Sequence, residues 1–358
     1  MGATYKNNLE LTIFGESHGK AIGITIGNLP SGIQIDLDEV ACDMKRRAPG
    51  QNKMSTARKE ADQVEILSGL QDGITTGAPL TGVIYNSDQH SKDYSLLKTN
   101  MRPGHSDYPA YIKYKGFNDV RGGGHFSGRI TAPIVFAGNI AKQILKQKGI
   151  VVGAHILSIG NVKDERFPYN VDETLLSSLS QKQYPTIKED VFEKMEATIL
   201  KARENLDSVG GKVECVALHV PAGIGEPFFD SLESHLSSLM FSIPAVKSVS
   251  FGDGEMIDQM LGSEANDCYY YDENGDVKTS SNHNGGITGG ITNGMPVSCT
   301  VTFKPTPSIA KKQKTINVET KENVELEIKG RHDPCIVQRA VVVVEAMMAL
   351  GILDMMGE

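Results

Sequence analysis

Residues 121–148 read RGGGHFSGRITAPIVFAGNIAKQILKQK, a glycine-rich polar turn running straight into a long apolar segment. From Ile130 to Lys148 the apolar positions Ile134, Val135, Ala137, Ile140, Ala141, Ile144 and Leu145 fall at helical spacing. The arrangement returns near the end of the chain, where Gly330-Arg331-His332 leads into an apolar stretch from Cys335 to Met356. That stretch contains Gln338, Arg339, Glu345 and Asp354, so it reads as a core helix rather than a membrane span. Two turns that carry Gly, His and Arg, each opening an apolar helix, point to a pseudo-symmetric layered sandwich; chance similarity is the competing reading.

Outward from these helices the pattern is mixed. Leu11–Phe14, Ala21–Ile26, Val64–Leu67, Leu80–Tyr85, Val151–Leu157, Lys212–Val220, Val246–Phe251, Met295–Phe303 and Val324–Ile328 read as strands. Asp36–Arg47 reads as a helix stopped by Ala48-Pro49-Gly50. Glu189–Asn205 and Phe228–Leu239 also read as helices, the first of them polar and exposed. No Pro/Ser-rich linker marks a boundary, so residues 1–358 are expected to form one domain.

With 39% apolar and 22% charged residues the composition is that of an ordinary globular protein. The net charge of −8 argues against nucleic-acid binding through bulk charge. Five scattered cysteines, Cys42, Cys215, Cys268, Cys299 and Cys335, form no CxxC pair, which points to a reducing, cytoplasmic setting and neither a disulfide framework nor a zinc site. The N-terminus has no signal-peptide pattern, and no membrane association is expected.

Chemistry concentrates in four polar islands: Gly15-Glu16-Ser17-His18-Gly19, Arg102-Pro103-Gly104-His105-Ser106-Asp107, the 121–129 turn, and Gly330-Arg331-His332-Asp333-Pro334. Glycine allows close backbone approach, histidine moves protons near neutrality, and arginine grips phosphate and carboxylate oxygens with a planar fork. Together they imply one site that binds an anionic substrate and shuttles protons. Lys45, Arg46, Arg47, Lys53, Arg58 and Lys59 add a positive patch around the Pro-Gly loop, which suits capture of a phosphorylated carboxylate although a solvated helix end would look the same. His90, His155, His219, His235 and His283 have no comparable context. His332-Asp333-Pro334-Cys335 lacks a second ligand group of matching spacing, so no metal is expected. The Gly-rich run 282–291 matches neither the phosphate-loop nor the dinucleotide pattern. Lys304-Pro305-Thr306-Pro307-Ser308 is open to two readings, an ordinary turn or a seat for a phosphate or ring edge.

Taken in order, the four islands resemble the motifs of the chorismate synthase family across nearly the whole chain. Gly15–Gly19, Arg102–Tyr108, Arg121–Arg129 and Gly330–Cys335 with Arg339-Ala340-Val341 carry the likeness. The resemblance implies an α+β fold, a layered β-α-β sandwich with a helical centre between antiparallel sheets, assembled as a homotetramer. It implies elimination of phosphate from 5-enolpyruvylshikimate 3-phosphate to give chorismate, dependent on reduced FMN but without net redox change. By resemblance His18 protonates the leaving phosphate, His105 holds or protonates the flavin ring, and Asp333 with Ser17 relays a proton. Arg46, Arg47, Lys53, Arg102, Arg129 and Arg339 match substrate-gripping positions. The FMN contacts would come from His125, Phe126, Ser127, Pro244, Ala245, Gly285, Gly286, Lys304, Pro305, Thr306, Pro307, Ser308 and Arg331.

Two departures from the family pattern stand out. His125-Phe126 replaces an Arg-Ser pair, and Ala48 stands where a third arginine is frequent. Whether the chain reduces FMN itself with NADPH or takes electrons from another source is not written in any nicotinamide fingerprint. Two alternatives stay open at this level: a flavin-dependent oxidoreductase using the same anion site, and a non-catalytic phosphosugar- or nucleotide-binding module.

Overall fold

The computed structural model describes residues 2–50, 62–86, 96–328 and 333–357. β1 (Thr4–Lys6), β2 (Glu10–Gly15) and β3 (Ala21–Gly27) open the chain, followed by α1 (Leu37–Arg47). Asp36 caps α1 by accepting from the amides of Asp38 and Glu39, and Lys45, Arg46 and Arg47 occupy its last turn, where the helix dipole favours cations. β4 (Glu65–Ser68), the small hairpin β5 (Leu70–Gln71) and β6 (Ile74–Thr75), and β7 (Leu80–Tyr85) follow. α2 (Asp107–Lys113) and α3 (Thr131–Gln147) complete the first half.

The second half contains β8 (Val151–Ile159), β9 (Val162–Lys163), α4 (Glu173–Ser180), α5 (Val191–Glu204), β10 (Gly211–Leu218), α6 (Leu232–Phe241) and β11 (Val246–Phe251). After the short α7 (Gly262–Ala265) come two hairpins, β12 (Tyr269–Tyr271) with β13 (Val277–Thr279) and β14 (Ile287–Thr288) with β15 (Ile291–Thr292). β16 (Val297–Phe303), the hairpin β17 (Gln313–Asn317) and β18 (Glu322–Leu326), and α8 (Val337–Met356) end the chain.

Two antiparallel sheets result, ordered β1-β2-β3-β7-β4 and β11-β16-β10-β8-β9. Their topologies repeat. In each half two neighbouring strands (β2 and β3; β8 and β10) precede a helix (α1; α6) and a strand placed beyond the next one (β4; β11). A strand then inserts between them (β7; β16), and a long apolar helix follows (α3; α8). The sequence echo is therefore an echo of topology, and the architecture is the expected β-α-β sandwich. α3 and α8 pack on each other between the sheets, α3 against β3 and β7, α8 against β8 and β10. Apolar side chains from both sheets and from α1, α3, α6 and α8 form one continuous core.

Both central helices are buried nearly all round, as their apolar composition demands. They approach closely at Gly138, where a Cβ would lie 2.1 Å from the Cβ of Ala346. The polar side chains within them are answered individually. Glu345 lies inside the core of α8 and accepts from Arg46 Nη1 and Nη2 at 2.7 Å each and from Lys142 Nζ at 3.0 Å. Asp43 joins the cluster, accepting from Arg46 at 2.9 Å and from Lys142 and Asn139 at 2.8 Å. Asp354 accepts from Tyr5 Oη at 2.6 Å, Asn7 Nδ2 at 2.8 Å and the Leu9 amide at 2.6 Å, tying β1 to the end of α8. An unanswered charge in such a place would cost about 3–5 kcal/mol.

Most expected elements appear within a residue or two of their sequence limits. Residues 228–231 differ: Phe228–Asp230 is an exposed single turn, and α6 begins after Ser231, whose hydroxyl accepts from the Ser234 amide. The strand expected at 324–328 is β18, in a peripheral hairpin outside the two main sheets. Among the described residues no helix is long and apolar enough to cross a membrane.

Gly138→Val should lower the unfolding free energy by about 1–3 kcal/mol or more through overpacking, with partial recovery in Gly138→Val/Ala346→Gly, read by urea titration. Burial alone would raise the Asp43 carboxyl, but Lys142 and Arg46 outweigh it and hold it at about 2. Between pH ~4 and pH 2 the unfolded chain therefore binds a proton that the folded chain refuses, and stability falls as pH falls through that window. A urea midpoint unchanged from pH 5 to pH 2.5 would contradict this.

Candidate active site

A cavity of 1340 Å³ opens at the N-terminal ends of α3 and α8, with Arg129, Thr131 and Ile134 from one and Ile336, Arg339 and Val343 from the other. Helix N-termini offer amides and a positive dipole end to anions. The lining also includes apolar side chains, among them Leu11, Ile13, Leu239 and Leu350. His18, His105, His125, Phe126, Ser127, Pro244, Ala245, Lys304, Thr306, Pro307, Ser308, Arg47, Arg102 and Asp333 also line it. The fold has thus gathered residues from all four polar islands.

The triple glycine explains how two histidines come together. Gly122, Gly123 and Gly124 all have positive φ. A Cβ on Gly122 would fall 2.3 Å from His18 Nδ1, and one on Gly123 would fall 3.3 Å from His105 Nε2. The backbone strip therefore runs between the two rings, and only glycine fits. The Ser17 amide donates to the Gly124 carbonyl at 3.1 Å, which stitches the β2–β3 turn to the strip. His125 adds a second stitch, with Nδ1 2.8 Å from the Gly15 carbonyl oxygen. Ser17 Oγ is buried and has no hydrogen-bond partner among the described residues, nor has Thr306 Oγ1.

Three arginines of the lining are linked to one another. Arg47, 1% exposed, donates to Asp62 through Nε at 3.1 Å and also through Nη2. Arg129 donates to the other oxygen of Asp62 and to Asn86 Oδ1 at 3.2 Å. Arg339 pairs with Asp333, and its Nε donates to the Arg47 carbonyl at 2.8 Å. Burial would raise the Asp62 carboxyl, but Arg47 and Arg129 hold it below the usual carboxylate range. Burial, with repulsion from Arg339 and Arg129, brings the Arg47 guanidinium down to about 10 against the pull of Asp62. It remains a cation at neutral pH, in a site where positive charge outweighs its one bridging carboxylate.

Arg102 is employed differently. Its amide, Nε and Nη2 donate to Asp107 at 3.1, 2.7 and 2.8 Å, and Nη1 donates to Ser308 Oγ at 3.2 Å. Asp107 Oδ1 also lies 2.6 Å from His105 Nδ1. Lys304 Nζ donates to the Gly104 carbonyl, bracing the same turn. Ser127 accepts from the Arg129 amide at 3.3 Å and so starts the turn leading into α3.

Several expected contacts lie elsewhere. The Arg46 guanidinium is taken by Asp43 and Glu345 beneath α8, not turned to the cavity. Gly285 and Gly286 do not line it; a Cβ on Gly285 would sit 2.3 Å from the Gly252 amide nitrogen, and one on Gly286 2.5 Å from the Pro296 carbonyl oxygen, so close backbone packing accounts for both. Pro305 and Ser17 are also outside the lining, Ser17 being buried directly before His18 in the chain. Lys53 and Arg331 lie outside the described residues. The sequence reading passed over Asp62, Asn86 and Asp107 as site groups. Asp107 stands two positions after His105 within an island already singled out, but Asp62, fifteen positions from Arg47 and sixty-seven from Arg129, gives no local signal.

A family model described as chorismate synthase matches residues 9–356. A relative from Thermococcus gammatolerans bearing that name is 48% identical over 346 residues, 97% of this chain and 95% of its own length. Another from Korarchaeum cryptofilum is 45% identical over 353 residues, 99% of this chain and 97% of its own. A solved structure titled as a crystal structure of chorismate synthase superposes with a TM-score of 0.77 at 27% identity, covering 97% of this chain and 91% of that one. Gly122→Ala, which drives a methyl into the His18 ring, should weaken or abolish function at the site while α3 and α8 keep the fold, as read by circular dichroism alongside turnover.

Proposed function

The chain belongs to the chorismate synthase family, and from that premise we propose that it converts 5-enolpyruvylshikimate 3-phosphate to chorismate and phosphate by 1,4-anti elimination, with reduced FMN in the cavity. The observation carrying this reading is the union of buried Arg47 and Arg129 and half-buried Arg339 with His18, His105 and Asp333 around one large space. At 1340 Å³ the cavity exceeds the ~300–1,000 Å³ usual for one small ligand, which suits substrate and cofactor together. The apolar lining suits a ring system, and the unpartnered hydroxyl of Thr306 suits a polar edge. The residues therefore fit the flavin.

Reduced FMN, held by lining residues such as His125, Phe126, Ala245 and Thr306, would supply electron density for cleavage of the C–O bond to phosphate without net oxidation. Arg47, Arg129 and Arg339 bind phosphate and carboxylate oxygens, and burial strengthens each charge-assisted contact. Arg47 spends Nε and Nη2 on Asp62, which leaves Nη1 for an anion. His18 donates a proton to the leaving phosphate oxygen. Asp333, oriented by Arg339, accepts a proton on its carboxylate with Ser17 Oγ as the relay. His105 lines the cavity with Nε2 packed against Gly123, where it would meet the bound flavin. Ser127 starts the turn that delivers Arg129, so its hydroxyl has a structural duty besides any cofactor contact.

The experiment is anaerobic turnover with dithionite-reduced FMN, following chorismate absorbance and released phosphate. Equal amounts of both with the flavin still reduced are expected; no chorismate from folded, FMN-binding protein would overturn the reading. Replacing dithionite by NADPH decides whether the chain reduces its own cofactor. His105→Ala and Asp333→Ala should each lower kcat by about 100-fold, the scale of general acid–base groups.

A further inference from the structure

His105 is held at one nitrogen by a carboxylate that has no proton to offer. Asp107 receives three donors from Arg102, two of them from the guanidinium in fork geometry, and lies 2.6 Å from His105 Nδ1. Burial would raise the Asp107 carboxyl, but Arg102 and His105 hold it well below the usual carboxylate range. An ionised carboxylate only accepts, so the proton between the two groups sits on Nδ1. The competing neighbour of Nδ1, Ser106 Oγ, is farther away at 3.4 Å. Nε2 lies at the other end of the ring, against Gly123, and the His105 side chain lines the cavity.

We propose that Asp107, clamped by Arg102, is a positioning residue that fixes His105 as the Nδ1–H tautomer and presents Nε2 to the cavity as an acceptor. The logic is that of other Asp–His pairs, in which a buried carboxylate sets which ring nitrogen is bare. His105 then takes a proton or a hydrogen bond at Nε2 and does not give one from its resting state. A proton taken up at Nε2 makes an imidazolium whose Nδ1–H still faces Asp107, and the proton leaves by the same atom. Arg102 is accordingly an indirect contributor to the site, holding Asp107 instead of substrate. This rests on the reading of His105 as a group acting in the proposed elimination.

The charged neighbours set the sign of the pH dependence. Burial is the largest influence and lowers the His105 pKa; Arg102 and Lys304 lower it further, and Asp107 opposes them. The net value lies below the ordinary 6.5, so the ring is neutral at neutral pH. Removing the Asp107 charge takes away the one group that raises it.

The first test needs no turnover. Full-length protein labelled with 15N-histidine, without substrate or flavin, should show the His105 ring as the Nδ1–H tautomer at pH 7.5, assigned by its loss in His105→Gln. An Nε2–H tautomer or a doubly protonated ring would overturn the proposal, and this measurement on unaltered protein stands even where a variant fails to fold. The second test is kinetic. Asp107→Asn should lower kcat by about tenfold or more with little change in KM and move the acidic limb of the kcat profile to lower pH, while Asp107→Glu recovers part of the rate. An unmoved limb with unchanged kcat would overturn it as well. Absence of chorismate from unaltered protein would instead strike the functional reading and leave the tautomer result intact.

Discussion

The interaction on which everything else depends is the sealing of α3 and α8 between two sheets, with their backbones brought together at Gly138 and Ala346. Two helices buried on all sides cannot be moved independently, because interiors packed at crystal density have no slack. Their N-terminal ends are therefore fixed in space. Those ends carry Arg129 and Arg339, and the cavity between them inherits its rigidity from the core. The repeated topology of the two halves is what brings two helix N-termini to one place.

Charge inside this core follows one rule: each buried carboxylate is answered by cations or by several donors. Glu345 and Asp43 face Arg46 and Lys142, Asp62 bridges Arg47 and Arg129, Asp107 holds Arg102, and Asp354 collects Tyr5, Asn7 and the Leu9 amide. Such groups yield little net stability compared with apolar replacements, but removing one partner leaves a costly orphan. They therefore act mainly as locators. Arg46 anchors the last turn of α1 to α8, and the next residue, Arg47, is delivered to the cavity, where its carbonyl steadies Arg339. Two adjacent arginines with the same side chain thus serve different ends: one orients the helix and the other lines the cavity.

The glycine strip is the second locator. A side chain at 122 would collide with His18 and one at 123 would press on His105 from a backbone conformation that favours glycine, so the strip passes both rings only because it carries no side chains. With His125 tied to the Gly15 carbonyl and Ser17 to the Gly124 carbonyl, the β2–β3 turn and the approach to α3 become one unit. Preorganisation of this kind lets hydrogen-bond donors and acceptors act without reorganising during the reaction.

The sequence by itself determined a great deal here. Helical periodicity marked both central helices, strand patterning marked most of the two sheets, and four ordered islands identified the family and the groups that line the cavity. These were legible because each is local: a turn, a period or a motif is written in consecutive residues. What only the tertiary structure decided is the partner of each charge. Arg46 and Arg102 look like ligand-binding arginines beside Arg47 and Arg129, yet packing commits the first to Glu345 and the second to Asp107. Asp62 became part of the site from a position with no local signature, and Gly285 and Gly286 proved to answer to backbone packing against 252 and 296. The physical reason is that an ion pair forms between whichever groups the fold desolvates together, and the chain positions of Arg46 and Glu345, 299 residues apart, carry no record of that meeting.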